Sequence, residues 1–366
     1  MRGFSSAGAG LVLAGLALGM TAASAARGEE VVRTIRADLS TLPAGSRFSI
    51  ENLVGTMRVR EADVPAVTAV ATVYAESQQL ADAVRFEPVS GDAATLRVRY
   101  PYDRIGTFRY REPGDHGDGL WLNFSSSSTY SYDDRTVKVN PGRGTRIHAE
   151  VEVQVPRGEA TGRFVNLVGL LEAEDLRGRL RFEVASADLR LSRLEGTLEL
   201  EGSSGDIRAR DIKGTWKSDF SSGDCRLDGF DGESLELHAS SGDFAIRNVK
   251  AAKIVTETNS GDVRFLDADV EEFTAEATSG DIELEDVGAR LRSVDVSTSS
   301  GDVTLRLPTD ASFDASARQS SGGMSVGFSD GVSVEKHDNL VGYRRGDHGA
   351  RIRVRTSSGD LSISPI

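Results

Sequence analysis

One phrase, Ser-Gly-Asp followed by an apolar residue, recurs along this chain and limits what it can fold into. It begins at Ser204-Gly205-Asp206-Ile207. It returns with Gly223-Asp224, Gly242-Asp243, Gly261-Asp262, Gly280-Asp281 and Gly301-Asp302, and once more at Ser358-Gly359-Asp360-Leu361. From Gly205 to Gly301 the spacing is nearly constant. A steady period of roughly 20 residues predicts a solenoid, in which one coil cannot bury its own apolar face and must stack on neighbours.

The residues of one coil predict its path. Leu235, Leu237 and Ala239 alternate with Glu236, His238 and Ser240, the two-residue period of a strand with one buried face. Past Gly242 the apolar residues are Phe244 and Ile246, so the parity has flipped. A strand changes parity only at a bend or bulge, which makes Ser-Gly-Asp a corner. Glycine supplies a backbone conformation that other residues resist. Ser and Asp supply oxygens for corner amides. Stacked coils would place the second serines in a ladder lining the inside of the corner. The aspartates would lie about 4.8 Å apart and repel one another. That repulsion is relieved if each carboxylate accepts corner N–H groups, if it faces solvent, or if the column binds divalent cations.

The ends and the composition narrow the class. Arg2, the apolar residues 11–20 and Ala23-Ser24-Ala25-Ala26 read as a secretory signal over residues 1–26. No later apolar run is long enough to predict a membrane span in the mature chain. The formal net charge of -13 argues against nucleic acid, whose phosphates require a basic stripe. The single cysteine, Cys225, excludes an internal disulfide framework and occupies the apolar position after a corner, so it reads as a core residue.

Residues 27–160 alternate with period two but lack the repeat, which predicts an irregular β-rich region. Within it, residues 101–146 form a Gly-, Ser- and aromatic-rich insertion. Eight of the chain's 23 aromatic residues fall between Tyr100 and Tyr132. Tyr110, Trp121, Phe124, Tyr130 and Tyr132 are the candidates for stacking on a ligand or anchoring a partner, or else for capping an end of the solenoid. Asp115, His116 and Asp118 are the cluster closest in type to metal ligands, against the simpler reading of a polar turn. The histidines are otherwise scattered, and the serines read as corner residues with no nucleophile elbow among them. No His-Glu-x-x-His and no phosphate-binding loop occurs. No catalytic residue, no resident metal and no cofactor is therefore assigned.

Four segments resemble the DUF4097 family, the "putative adhesin" family of bacterial envelope proteins, and its head-domain relatives. They are Glu51-Asn52-Leu53-Val54-Gly55-Thr56-Met57-Arg58-Val59 as an opening strand pair, the segment 151–156, the Ser-Gly-Asp coils, and the closing segments 305–308, 320–322 and 353–360. The resemblance covers most of the mature chain except 101–146. It implies a β-helix-like solenoid and carries over no catalytic residues.

The expectation is an all-β chain. Its segment 161–366 forms a β-solenoid, a β-helix-like stack of coils of about 18–21 residues with Ser-Gly-Asp corners. The expected role is a non-catalytic, adhesin-like binding or scaffolding protein, exported to the periplasm or cell surface, whose partner is an envelope protein or a surface glycan. Two other readings stand beside it: an envelope-stress or assembly factor with one protein partner, and a carbohydrate-active enzyme on a β-helix.

Overall fold

The computed structural model describes residues 30–40, 42, 45–89, 91, 93–111, 127–337, 340–347 and 349–366. Two compact units divide the chain, Met1–Thr161 and Gly162–Ile366. Both are built almost wholly from strands; among the described residues the first unit also holds a short α-helix, Gln78–Ala83, started by the Ser77 side chain, and a 3-10 turn, Tyr102–Arg104.

The second unit is a solenoid of parallel rungs. Residue follows residue one rung above the next: Leu180, Leu198, Trp216, Leu235, Ile254, Phe273 and Val294 form one apolar column. Leu189, Ile207, Cys225, Phe244, Val263, Ile282 and Val303 form a second on the far side of the corner. Every one of these side chains is buried. Packing along a column is uneven where sizes differ: Gly202 lacks a side chain where the ring of Phe220 lies against it from the next rung. Burial pushes the Cys225 thiol up to about 12, so it is a packing group rather than a reactive one.

The corner glycines are required twice over. Gly242 has φ +126°, a region that side-chain-bearing residues rarely enter. A Cβ built there would sit 2.1 Å from the carbonyl oxygen of Gly223 in the rung below. The same close approach repeats at Gly205, Gly223, Gly261, Gly280, Gly301 and Gly359.

The aspartates of these corners resolve their repulsion by bonding upward. Asp188 Oδ1 accepts the amide N–H of Asp206 at 3.0 Å, and Asp206 that of Asp224 at 3.2 Å. Asp224, Asp243, Asp262 and Asp281 do the same for Asp243, Asp262, Asp281 and Asp302. Each carboxylate thus satisfies a backbone donor that the sharp corner leaves without a ladder partner. Arg208, Arg226 and Arg264 lie within 3.0 Å of the other oxygens of Asp206, Asp224 and Asp262. The second serines do not line the interior. Ser204 and Ser222 are half-buried, and Ser241, Ser260, Ser279 and Ser300 are exposed, because the chain turns outward before the parity pattern reaches them.

A second corner, unmarked by any fixed phrase, lies at Asp175, Arg193, Asp211, Gly229, Asn248, Asp267 and Asp286. All have φ between +52° and +88°. Asp and Asn tolerate this left-handed conformation better than other side chains. Arg193 is the exception, and its guanidinium forks onto both oxygens of Asp175 at 2.6 and 3.0 Å. A third turn explains the drift of the period. Gly196 and Gly214 make it with one positive-φ residue each in the shorter, early coils. In the next rung the register shifts after Gly214, so that Thr215 pairs with Ser234 and Glu233 is extra. Ala252 and Glu271 continue that bulge and keep the later coils at the greater length.

The rungs do not stack in sequence order at the end. Ser293–Ser300 pairs with Ala350–Ser358, and Val303–Leu307 with Leu361–Pro365. Phe313–Ser321 and Met324–Val326 lie on the far side of that same C-terminal rung. The last segment of the chain is therefore the penultimate rung in space. The aspartate column follows the spatial order: Asp302 accepts from Asp360, and Asp360 from Gly323 at 2.7 Å. Gly323 stands where an aspartate would have no further rung to serve. The open edge of Phe313–Ser321 is covered by the antiparallel hairpin Val332–His337 and Leu340–Arg345.

The first unit is irregular. Val31–Asp38, Thr68–Ala75 and Thr145–Pro156 pair antiparallel in that order. Residues 57–62 of Arg47–Ala62 run parallel to Thr145–Pro156, while residues 48–51 pair with Ala94–Arg99. The segment around Gly55 is thus one bent strand rather than the strand pair expected from sequence. Gly55 itself presses against the Ala149 carbonyl, where a Cβ would lie at 2.1 Å.

Two outcomes are expected. Gly242→Ala lowers the unfolding free energy by about 2–4 kcal/mol, read from urea midpoints, because it adds both strain and a backbone clash. Removing residues 350–366 abolishes hydrogen-exchange protection across residues 313–345 while sparing 207–282, since rungs depend on their nearest neighbours.

Candidate functional site

The aromatic residues picked out by sequence divide on inspection. Trp121 and Phe124, with Asp115, His116 and Asp118, lie outside the described residues. Tyr132 is buried, and its hydroxyl sits 3.0 Å from the Val98 carbonyl and 3.1 Å from that of Glu51. With Tyr100, Tyr102 and Phe108 it makes a packed ring cluster inside the first unit. Tyr132 is therefore a core residue and presents no face to a ligand. Asp133 and Asp134, at φ +54° and +55°, make the tight turn that returns the chain from Ser128–Tyr132 into Arg135–Asn140. Tyr130 is half-exposed on the first of those strands.

Tyr110 lines a cleft. The cleft has a volume of about 570 Å³, within the range of small-molecule sites. Tyr74 and His148 form one wall. Register places them directly opposite on antiparallel strands, and their rings stack with centroids 4.9 Å apart and planes within 8°. The Tyr110 ring lies tilted against His148 at 5.2 Å. Val32, the cross-strand register partner of Tyr74, is 56% exposed.

Charge in the cleft comes from Arg109, Arg111 and Arg146 on one side of the balance and Glu30 and Glu150 on the other. Glu150 is 3.6 Å from Arg58, which is not part of the lining. Arg109 reaches Glu76 only at 3.8 Å, and its Nε is buried without a hydrogen-bond partner. Among the described residues, Arg111 and Arg146 have no carboxylate partner. Burial, reinforced by the Arg146 guanidinium, lowers His148 from 6.5 to about 4, so its imidazole is neutral near pH 7. Burial, with the Glu150 and Glu30 carboxylates, raises the Tyr74 phenol above its ordinary value.

Sequence reading counted His148 among the scattered histidines and gave Tyr74 no role beyond its strand. Parity already marks both as outward on their strands. Their meeting depends on a strand register between segments distant in the chain, which parity does not encode. A second omission is Gly323-Met324-Ser325-Val326-Gly327, which matches the Gly-x-Ser-x-Gly pattern. Its context is wrong for a nucleophile: Ser325 lies mid-strand against Leu361–Pro365, where the elbow demands a strand-to-helix turn. Among the described residues no three His, Cys, Asp or Glu side chains gather to hold a metal, and no helix is long and apolar enough to cross a membrane.

A depressed histidine makes the site observable. The His148 ring should titrate near pH 4 by NMR, not near 6.5. The proton is taken up by the unfolded chain first, so His148 costs stability as pH falls from about 6.5 to about 4. A midpoint near 6.5 would mean that the ring is solvated and the cleft wall is not formed.

No curated protein sequence matches the chain. Several solved structures align with it. A "putative adhesin" from Parabacteroides distasonis ATCC 8503 is 11% identical over 93% of this chain and 98% of its own, with a TM-score of 0.33. A "putative lipid binding protein" from the same organism is 11% identical over 93% and 98%, with a TM-score of 0.32. A "putative adhesin" from Bacteroides fragilis NCTC 9343 is 10% identical over 92% and 97%, with a TM-score of 0.28. The family model described as Toastrack DUF4097 matches residues 145–364 and spans the rung repeat with its aspartate column, so this chain belongs to the Toastrack DUF4097 family.

Proposed function

We propose that this is a non-catalytic, adhesin-like binding protein, exported to the cell envelope, which holds a surface glycan in the cleft of its first unit. The observation that carries the reading is a cleft lined by Tyr74, Tyr110 and His148 together with three arginines. Flat aromatic faces suit the apolar face of a sugar ring, and guanidiniums supply directional donors around it. The signal-like residues 1–26 support export. A histidine held neutral with its midpoint near 4 is a poor proton shuttle at neutral pH, which favours recognition over hydrolysis.

The solenoid serves this reading as a stiff support. Its outer surface neutralises itself in rows, as where Arg181 reaches Glu183 at 2.6 Å and Glu201 at 2.8 Å, and paired charges offer little to a partner. Recognition therefore belongs to the irregular unit, where side chains do not repeat.

The test is an array of envelope polysaccharides probed with the mature protein and with Tyr74→Ala. Wild type should capture at least one glycan, with affinity falling about tenfold in the variant while circular dichroism stays unchanged, as expected for loss of a stacking contact of ~1.4 kcal/mol. Reducing ends released from the captured glycan would instead make it an enzyme, and capture unaffected by Tyr74→Ala would move the site elsewhere.

A further inference from the structure

The penultimate rung fills a slot with a wall on either side. Ala350–Ser358 lies between Ser293–Ser300 and Phe313–Ser321, and Leu361–Pro365 lies between Val303–Leu307 and Met324–Val326. We propose that this rung is exchangeable between molecules. Residues 350–365 of a second copy fill the same slot, each chain gives its rung to the other, and the product is a swapped dimer. This inference is independent of what the cleft of the first unit binds.

The slot is selective about its occupant. Ile352, Val354, Leu361 and Ile363 are buried in it. At the corner, Asp302 Oδ1 accepts the N–H of Asp360 at 2.8 Å, and Asp360 Oδ1 accepts that of Gly323 at 2.7 Å. A Cβ on Gly359 would lie 2.2 Å from the Gly301 carbonyl oxygen, and one on Gly322 would lie 2.1 Å from that of Gly359. An occupant must therefore bring a glycine, an acceptor side chain directly after it, and apolar residues at fixed steps on both sides. A strand of unrelated sequence meets none of these demands in register. The other Ser-Gly-Asp corners, from Gly205 to Gly301, already have a rung pressed against each side. Residues 350–365 are what fits, and a second copy supplies them as well as the same chain does.

The link before the rung decides which copy supplies it. Phe313 pairs with Arg345 on one edge and with Ala350 on the other, so the chain crosses a whole strand between them. That is two strand spacings, ~10 Å. Both ends of the link are held to the turn it crosses. The Arg345 guanidinium donates to the Ala311 carbonyl, and the Ala350 N–H donates to that of Ser312 at 3.0 Å. Gly346, inside the link, has φ +73°. Contacts within the slot are the same whether the rung comes from its own chain or from another. The two forms therefore differ only in the conformation of this short link and in the entropy of association, which makes the balance depend on protein concentration.

Two experiments on the full mature chain test this. Deleting Gly346 and Asp347 leaves a link from Arg345 to Ala350 that reaches at most ~11 Å, too short to pass around a strand. By light scattering this variant should be a dimer, with hydrogen-exchange protection across residues 313–345 equal to wild type. The second experiment keeps the native link. Ser297 and Arg355 are register partners, and adjacent strands lie within disulfide reach. Chains carrying Ser297→Cys alone and Arg355→Cys alone are unfolded, mixed, refolded and oxidised. A disulfide between the two different chains should form at least tenfold above the level seen when either variant is refolded alone, and it should rise with protein concentration. A shortened-link chain that is monomeric and unprotected across 313–345 would overturn the proposal. So would a mixture with no more linked product than the single variants, and this second readout stands even if the deletion prevents folding.

Discussion

Everything in the solenoid depends on how closely one rung approaches the next at the Ser-Gly-Asp corner. A carbonyl oxygen of one glycine lies where the next glycine's Cβ would be, at about 2.1 Å. No side chain fits there, and the positive φ excludes most residues independently. This contact sets the rungs at strand spacing, and strand spacing makes the two apolar columns continuous. Change it at one corner and Phe244 no longer lies over Cys225 nor Val263 over Phe244.

The aspartate column follows from the same geometry. A corner this sharp leaves one amide per rung outside the parallel ladder, and a buried or half-buried amide needs an acceptor. The carboxylate of the rung below supplies it. Read this way, the column is a set of N–H acceptors, and its two exceptions make sense. Gly323 replaces aspartate on the spatially final rung, where no amide waits above. Asp360, late in sequence but penultimate in space, keeps the residue because Gly323 still donates to it. The C-terminal segment consequently closes the stack from within. The rung at 313–326 gains its neighbour only when residues 350–365 arrive, and the hairpin at 332–345 then shields the remaining edge.

Regularity and recognition are separated along the chain. Repeating rungs place like residues above like and pair their charges in rows, which yields stiffness and little individuality. The first unit breaks the repeat, and there strands far apart in sequence bring together Tyr74, Tyr110, His148 and three arginines. The desolvation that lowers His148 is itself a product of that crowding. Among the described residues, Arg111 and Arg146 have no carboxylate partner there.

Sequence alone determined the solenoid. The phrase Ser-Gly-Asp with its period, the parity flip between Ala239 and Phe244, and the inward columns are all local or strictly periodic, so one chain segment carries the whole pattern. The corner at Asp175, Asp211 and Asn248 was weaker in sequence, because left-handed conformation is shared among Asp, Asn and Gly and no single residue marks it. Tertiary structure decided three things. It reversed the order of the last two rungs, since parallel pairing records no sequence order. It took Tyr132 into the core through two backbone carbonyls from distant strands. It made a cleft from Tyr74 and His148, whose encounter is fixed by antiparallel register between strands separated in the chain by a helix and several other strands, and by nothing in either segment's own composition. Periodic contacts are written in the repeat, whereas a site assembled across an irregular sheet exists only once the strands have found their partners.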